Sequence, residues 1–183
     1  PEPATDLWAV DNDADKVFAY TEFGDFQGSF DLTSANGSAF GITTDGNVIW
    51  VMDRDSRVYR YDTTGNLLGS FNLVTPFNHL EGITTDGESL WVLNIKSPDN
   101  VFRYDLYGSY LGQSFELDSQ NSHAEGITTD GHLLYVIDRD ADRVFVYQPD
   151  GALLGSFDLL SATHAEGITT DGDSIWVADQ ETD

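Results

Sequence analysis

The sequence predicts an all-β fold: a β-propeller of four-stranded antiparallel blades, about 41–44 residues each, with four blade equivalents in the chain. Three observations predict it. The hexapeptide Gly-Ile-Thr-Thr-Asp-Gly opens at Gly41, Gly82, Gly126 and Gly167, so the repeat spacing is 41, 44 and 41 residues. A short apolar run follows each copy after an Asp-Gly pair, a strong hairpin signal because glycine accepts the positive φ of tight turns. Four antiparallel strands of this length cannot bury both faces alone, so successive units must stack face to face.

The elements of one repeat follow in order. The hexapeptide supplies the first strand. The second reads Ile49-Trp50-Val51-Met52, Leu90-Trp91-Val92-Leu93, Leu134-Tyr135-Val136-Ile137 and Ile175-Trp176-Val177-Ala178, and Leu7-Trp8-Ala9-Val10 matches it near the N-terminus. All four tryptophans share this repeat position, which points to packing between blades rather than to a carbohydrate platform. The third strand is rich in β-branched and aromatic residues, as in Val58-Tyr59-Arg60-Tyr61 and Val144-Phe145-Val146-Tyr147. The fourth is Gly28-Ser29-Phe30-Asp31-Leu32, Gly69-Ser70-Phe71-Asn72-Leu73 and Gly155-Ser156-Phe157-Asp158-Leu159. Its remaining copy, Gly112-Gln113-Ser114-Phe115, carries one extra residue that predicts a β-bulge there.

We read residues 1–183 as one propeller or propeller segment, with repeats at 7–39, 40–80, 81–124 and 125–165 and a partial repeat at 166–183. The count leaves a fifth second strand near residues 174–178, redundant for a ring that closes on itself. A larger ring, completed by further sequence or by a second copy of the chain, is the expectation, since a bare strand edge recruits partners.

Thirty-two acidic against eight basic residues give a net charge of −24, which repels nucleic acid and anionic lipid and attracts cations and basic partners. No segment approaches the ~20 consecutive apolar residues of a membrane helix, so membrane insertion is not expected. The absence of cysteine excludes disulfides, thiolate metal sites and thiol nucleophiles. Neither a Gly-x-Ser-x-Gly elbow nor a phosphate-binding glycine loop is present. The start at Pro1 without methionine suits a processed secreted protein, a trimmed chain or a fragment.

The succession Gly-Ile-Thr-Thr-Asp-Gly, Ile-Trp-Val-x-Asp, Arg-Val-x-x-Tyr and x-Asp-Gly-x-Leu-Leu-Gly-Ser-Phe resembles the NHL-type propeller repeat over nearly the whole chain. The resemblance implies the fold. For activity it implies a range, because propellers of this kind include scaffolds, lyases and lactonases.

In propellers the connection from strand four to the next strand one, and the turn between strands two and three, open on the same face beside the central channel. The first carries His79-Leu80-Glu81, His123-Ala124-Glu125 and His164-Ala165-Glu166 in one register, replaced by Ser38-Ala39-Phe40 before Gly41. Imidazole and carboxylate are competent ligands for zinc and similar divalent metals, so His79, Glu81, His123, Glu125, His164 and Glu166 are candidate ligand-binding residues. The resemblance also allows a metal site here, because amidating lyases and gluconolactonases place metal-binding His or Glu near the inner strands. The competing reading is that copied blades inherit copied residues, with Glu bonding backbone amides and His packing beside it. His132, beside an Asp-Gly turn, lies on the opposite edge.

The second turn carries Asp11, Asp13 and Asp15, and again Asp138, Asp140 and Asp142. Alternating aspartates suggest a hard cation such as calcium, although the glycine and glutamate that complete an EF-hand loop are missing. Ordinary turn chemistry, with pairing to Lys16, Arg57 or Arg143, is the alternative. Asn36-Gly37-Ser38 also fits an N-glycosylation pattern.

The expected function is a non-catalytic extracellular or cell-surface scaffold that binds a protein partner or a second copy of itself, held by calcium or another divalent metal. The alternatives are a metal-dependent lyase or lactonase with its His and Glu residues at the channel, and a repeating subunit of a larger homo-oligomer.

Overall fold

The computed structural model describes residues 7–73, 79–160 and 164–180, and these contain seventeen β-strands and no helix. The chain divides into two compact units, Pro1–Leu73 and Val74–Asp183.

In the first unit β1 (Leu7–Asp11), β2 (Lys16–Tyr20) and β3 (Phe26–Asp31) form a three-stranded antiparallel sheet. β4 (Ala39–Thr44), β5 (Val48–Asp53), β6 (Arg57–Asp62) and β7 (Leu67–Asn72) follow as a four-stranded one. β1 packs against β4. Ile49, Val51, Tyr59 and Tyr61 meet Val17 and Leu32 in the core between the two sheets.

The second unit holds two complete four-stranded blades. One is β8 (Leu80–Thr85), β9 (Ser89–Asn94), β10 (Asn100–Asp105) and β11 (Tyr110–Glu116). The other is β12 (Ala124–Thr129), β13 (Leu134–Asp138), β14 (Arg143–Tyr147) and β15 (Leu153–Asp158). β16 (Ala165–Thr170) and β17 (Ile175–Asp179) make a two-stranded sheet, so the surplus second strand is present and pairs with β16. The first strands stack side by side, β12 against both β8 and β16. All sheets are antiparallel with short turns, and the fold class is the β-propeller.

The hexapeptide has a physical explanation at each end. Its opening glycine lies where first strands approach closely: a Cβ on Gly126 would stand 2.9 Å from the Glu166 carbonyl oxygen. Its Thr-Asp-Gly closes the hairpin. Thr129 Oγ1 donates to the Leu133 carbonyl at 2.6 Å and accepts the Gly131 N–H at 3.1 Å, while Asp130 Oδ1 accepts the N–H groups of His132 and Leu133. Gly131 supplies the φ of 88°. The same bonds recur after Thr44, Thr85 and Thr170.

Neighbouring blades are latched by a tyrosine. Tyr61 Oη accepts the N–H of Thr33 at 3.2 Å, and Tyr147 Oη that of Asp118 at 3.1 Å, each satisfying the chain as it leaves the preceding blade. The shared tryptophan position splits by environment. Trp50 and Trp91 are 1% and 2% exposed, whereas Trp176 on β17, whose sheet has two strands among the described residues, is 42% exposed.

The β-bulge expected in one fourth strand occurs in all four: register shifts lie between Ala19 and Tyr20, Arg60 and Tyr61, Arg103 and Tyr104, and Val146 and Tyr147. The extra residue near Gly112 only enlarges a bulge already built into the repeat. Asn36 of the glycosylation pattern is 0% exposed, which puts its amide out of reach of a glycosylating enzyme in the folded chain. No helix of the described residues is long and apolar enough to cross a membrane.

Candidate functional site

The His and Glu positions of the repeat lie where β8, β12 and β16 begin, and a second bulge there decides how they point. Leu80 pairs with Asn94 and Gly82 with Leu93, Ala124 with Asp138 and Gly126 with Ile137, Ala165 with Asp179 and Gly167 with Ala178. Glu81, Glu125 and Glu166 are therefore the unpaired residues of three equivalent bulges, and Phe40 occupies the fourth. A bulge re-aims its side chain and ends the regular ladder, which suits a site. All four are half-buried.

At the histidine positions it is the backbone that is engaged. The His123 N–H bonds Asp138 Oδ2 and that of His164 bonds Asp179 Oδ2, both at 3.0 Å. The carbonyls of His79, His123 and His164 accept the N–H groups of Ile95, Arg139 and Gln180. These bonds tie each inter-blade connection to the end of the next second strand. The His79 and His123 rings stay exposed, and His123 Nδ1 lies 3.4 Å from Asp140 Oδ2. His132 is exposed at its hairpin, with its N–H on Asp130.

Glu125 meets Arg139 at 2.8 Å. Burial raises its pKa above the usual carboxylate range; Arg139 opposes the shift, and Glu166 and Asp140 add to it. Glu125 and Glu166 thus come within electrostatic reach of one another.

The alternating aspartates divide into different tasks. Asp138, 1% exposed, accepts the Ala141 N–H through Oδ1 as well as the His123 bond, and Asp11 Oδ1 accepts the Ala14 N–H at 2.9 Å. Asp15 and Asp142 adopt φ of 51° and 48°, and their carbonyls accept the N–H groups of Leu32 and Leu159. Asp13 and Asp140 are exposed. The basic residues expected to face these turns reach elsewhere: Lys16 pairs with Asp31, Arg143 with Asp158 at 2.6 Å, and Arg57 stacks 5.3 Å from the Tyr59 ring centroid. They sit on third strands, where Lys16 and Arg143 meet a fourth-strand carboxylate and Arg57 instead bonds Ser70 Oγ at 3.2 Å. Among the described residues no group of three or more His, Asp or Glu side chains is gathered as a metal would require.

The second unit also contains a cleft of about 430 Å³ between the β9–β10 turn and the connection from β11 to β12. His123, Glu125 and Arg139 reach it. Sequence reasoning missed two of its residues, Asp99 and Asn121. Burial, with Asp138 nearby, raises the pKa of Asp99, against a hydrogen bond from the Ala124 N–H and the proximity of His123. The signal available for Asp99 was the Asn94–Asn100 turn, one residue longer than Asp11–Lys16 and Asp138–Arg143 and two longer than Asp53–Arg57.

No family model matches the chain, and no curated protein does. Solved structures resemble it. Virginiamycin B lyase from Staphylococcus aureus is 20% identical over 94% of this chain and 58% of the lyase, with a TM-score of 0.64. Glutaminyl cyclase from Myxococcus xanthus is 12% identical over 89% of this chain and 76% of the cyclase, with a TM-score of 0.70. A chain of the nidogen/laminin complex is 18% identical over 96% of this chain and 72% of its own length, with a TM-score of 0.65. At these identities the likeness is one of fold. The chain spans 58% of the lyase's length.

Proposed function

We propose that this chain is an NHL-type propeller that binds rather than catalyses: an extracellular or cell-surface scaffold that assembles with a protein partner or a second copy of itself. The observation that carries the reading is the engagement of the would-be reactive groups. Glu125 is held by Arg139 and His123 lies beside Asp140. The backbones of the repeated histidines serve as inter-blade ties. That one fold neighbour is a chain of a nidogen/laminin complex agrees with a protein partner. In this reading calcium or another divalent cation acts at the acidic turns by relieving the repulsion of a −24 chain, binding weakly at several carboxylates.

A metal-dependent lyase or lactonase is the rival reading, and two observations favour it: Glu125 carries a raised pKa in a cleft beside His123, and one fold neighbour is a lyase. Metal titration by calorimetry, alongside turnover assays on a streptogramin and a lactone panel, separates the two. The scaffold reading expects calcium to raise the melting temperature without tight stoichiometric binding and without turnover. Tight transition-metal binding together with turnover, both lost in His123→Ala, would overturn it.

A further inference from the structure

We propose that the cleft of the second unit binds an organic cation, an ammonium or guanidinium group on a small or peptidic ligand, with Asp99 Oδ2 and Asn121 Oδ1 as its hydrogen-bond acceptors. The proposal deepens the binding reading above and rests on it.

Two buried acceptors there lack partners. Asn121 is 2% exposed, and its Nδ2 donates to Tyr147 Oη at 3.3 Å while its Oδ1 bonds nothing. Asp99 takes the Ala124 N–H, yet its Oδ2 is buried and unpartnered. Nearly all buried polar atoms in folded proteins are satisfied, so these two oxygens are places that donors from water or from a ligand fill.

The charge of the lining selects the donor. Asp99, Glu116, Asp118 and Glu125 face the cleft, and its one arginine, Arg139, is already bound to Glu125 at 2.8 Å and lies 3.5 Å from Asp140. An incoming cation meets net negative potential; an anion meets repulsion. Ile95, Pro98 and Leu117 supply apolar wall for the methylene stem that carries such a head group. The volume of about 430 Å³ lies in the range of small-ligand sites. A bare metal ion fits less well, because the described residues bring no three His, Asp or Glu side chains together.

The test is NMR titration of the full chain with N-acetyl-lysine methylamide, N-acetyl-arginine methylamide, the norleucine analogue and 1,4-diaminobutane. The cations are expected to shift the amides of Asp99, Asn121 and Ala124 saturably, and norleucine to leave them unmoved. Asp99→Asn keeps the acceptor for Ala124 and removes the charge, and is expected to weaken binding about tenfold or more. Asp173→Asn, which removes one exposed charge from the last hairpin, is the control for general electrostatic attraction. Saturable binding of either the capped amino acids or the diamine sustains the proposal. Equal binding of norleucine, an equal loss in Asp173→Asn, or no saturable shift with any cation overturns it. Turnover in the lyase assays would instead defeat the scaffold reading, so the two failures are distinguishable.

Discussion

Arg139 grips Glu125 at 2.8 Å in the same place in the repeat where Arg54 lies 4.4 Å from the centroid of the Phe40 ring. One geometry, an arginine after the second strand reaching back to the bulged residue of the first, is filled by an ion pair in one blade and a cation–π contact in another. Glu125→Phe is therefore expected to fold with a stability change of about 1 kcal/mol or less, read by urea denaturation. Arg139→Ala is expected to push the Glu125 pKa further up, because Arg139 lowers it, and carbon-13 NMR titration of the carboxyl reads the direction.

Asp138 holds two N–H groups, those of His123 and Ala141, from a buried position. Asp138→Ala leaves both without their acceptor and is expected to cost roughly 2–4 kcal/mol. Asp138→Asn is expected to cost less, since it keeps one of the two acceptor oxygens. Equilibrium unfolding of the two variants gives the order.

Gly151 combines a φ of 92° with a neighbour: a Cβ there would stand 2.4 Å from Phe115 Cβ. Gly151→Ala is expected to destabilise by roughly 2–4 kcal/mol, summing left-handed strain and overpacking. In a Phe115→Gly background, which removes Cβ as well as the ring, the overpacking part vanishes, so in a double-mutant cycle the pair should be less destabilised than the sum of the single variants.

Identical tryptophans should behave differently. Trp91→Ala removes a side chain 2% exposed and is expected to cost about 3–5 kcal/mol, whereas Trp176→Ala, at 42% exposure, should cost well under half of that. Acrylamide quenching of variants that retain one of the two should rank them in the same order.

Asp62 receives hydrogen bonds from the side chains and backbone N–H groups of Asn66 and Thr64, which lower its pKa to about 2. A carboxyl lowered on folding contributes stability above its unfolded pKa and loses it as pH falls through the folded value. The advantage of the native chain over Asp62→Asn should hold from pH 7 to about 4 and shrink toward pH 2, as urea midpoints at several pH values would show.

The strand count and order were legible because the repeat writes them in copies: the hexapeptide, the tryptophan run and the Leu-Leu-Gly-Ser-Phe segment each fell on the strand expected of it. The bulges were not. A bulge present in every copy produces no irregularity of spacing, so only the enlarged one near Gly112 left a trace. The His and Glu register was visible as a pattern, but which part of each residue is used was not, because backbone bonds such as that from His123 to Asp138 are indifferent to the side chain. Asp99 and Asn121 escaped notice for the opposite reason. Their meaning lies in missing partners, which emerge only when two blades are packed together.

The bulge at positions 40, 81, 125 and 166 gives duplicated blades a route to divergence. Its residue takes no part in the ladder between the first two strands, so a substitution there leaves the pairing register untouched. A tandem array born symmetric can in this way acquire a different chemistry in each copy, one codon at a time, while every intermediate keeps the parental architecture. The Phe40 blade already carries a different side chain at that place.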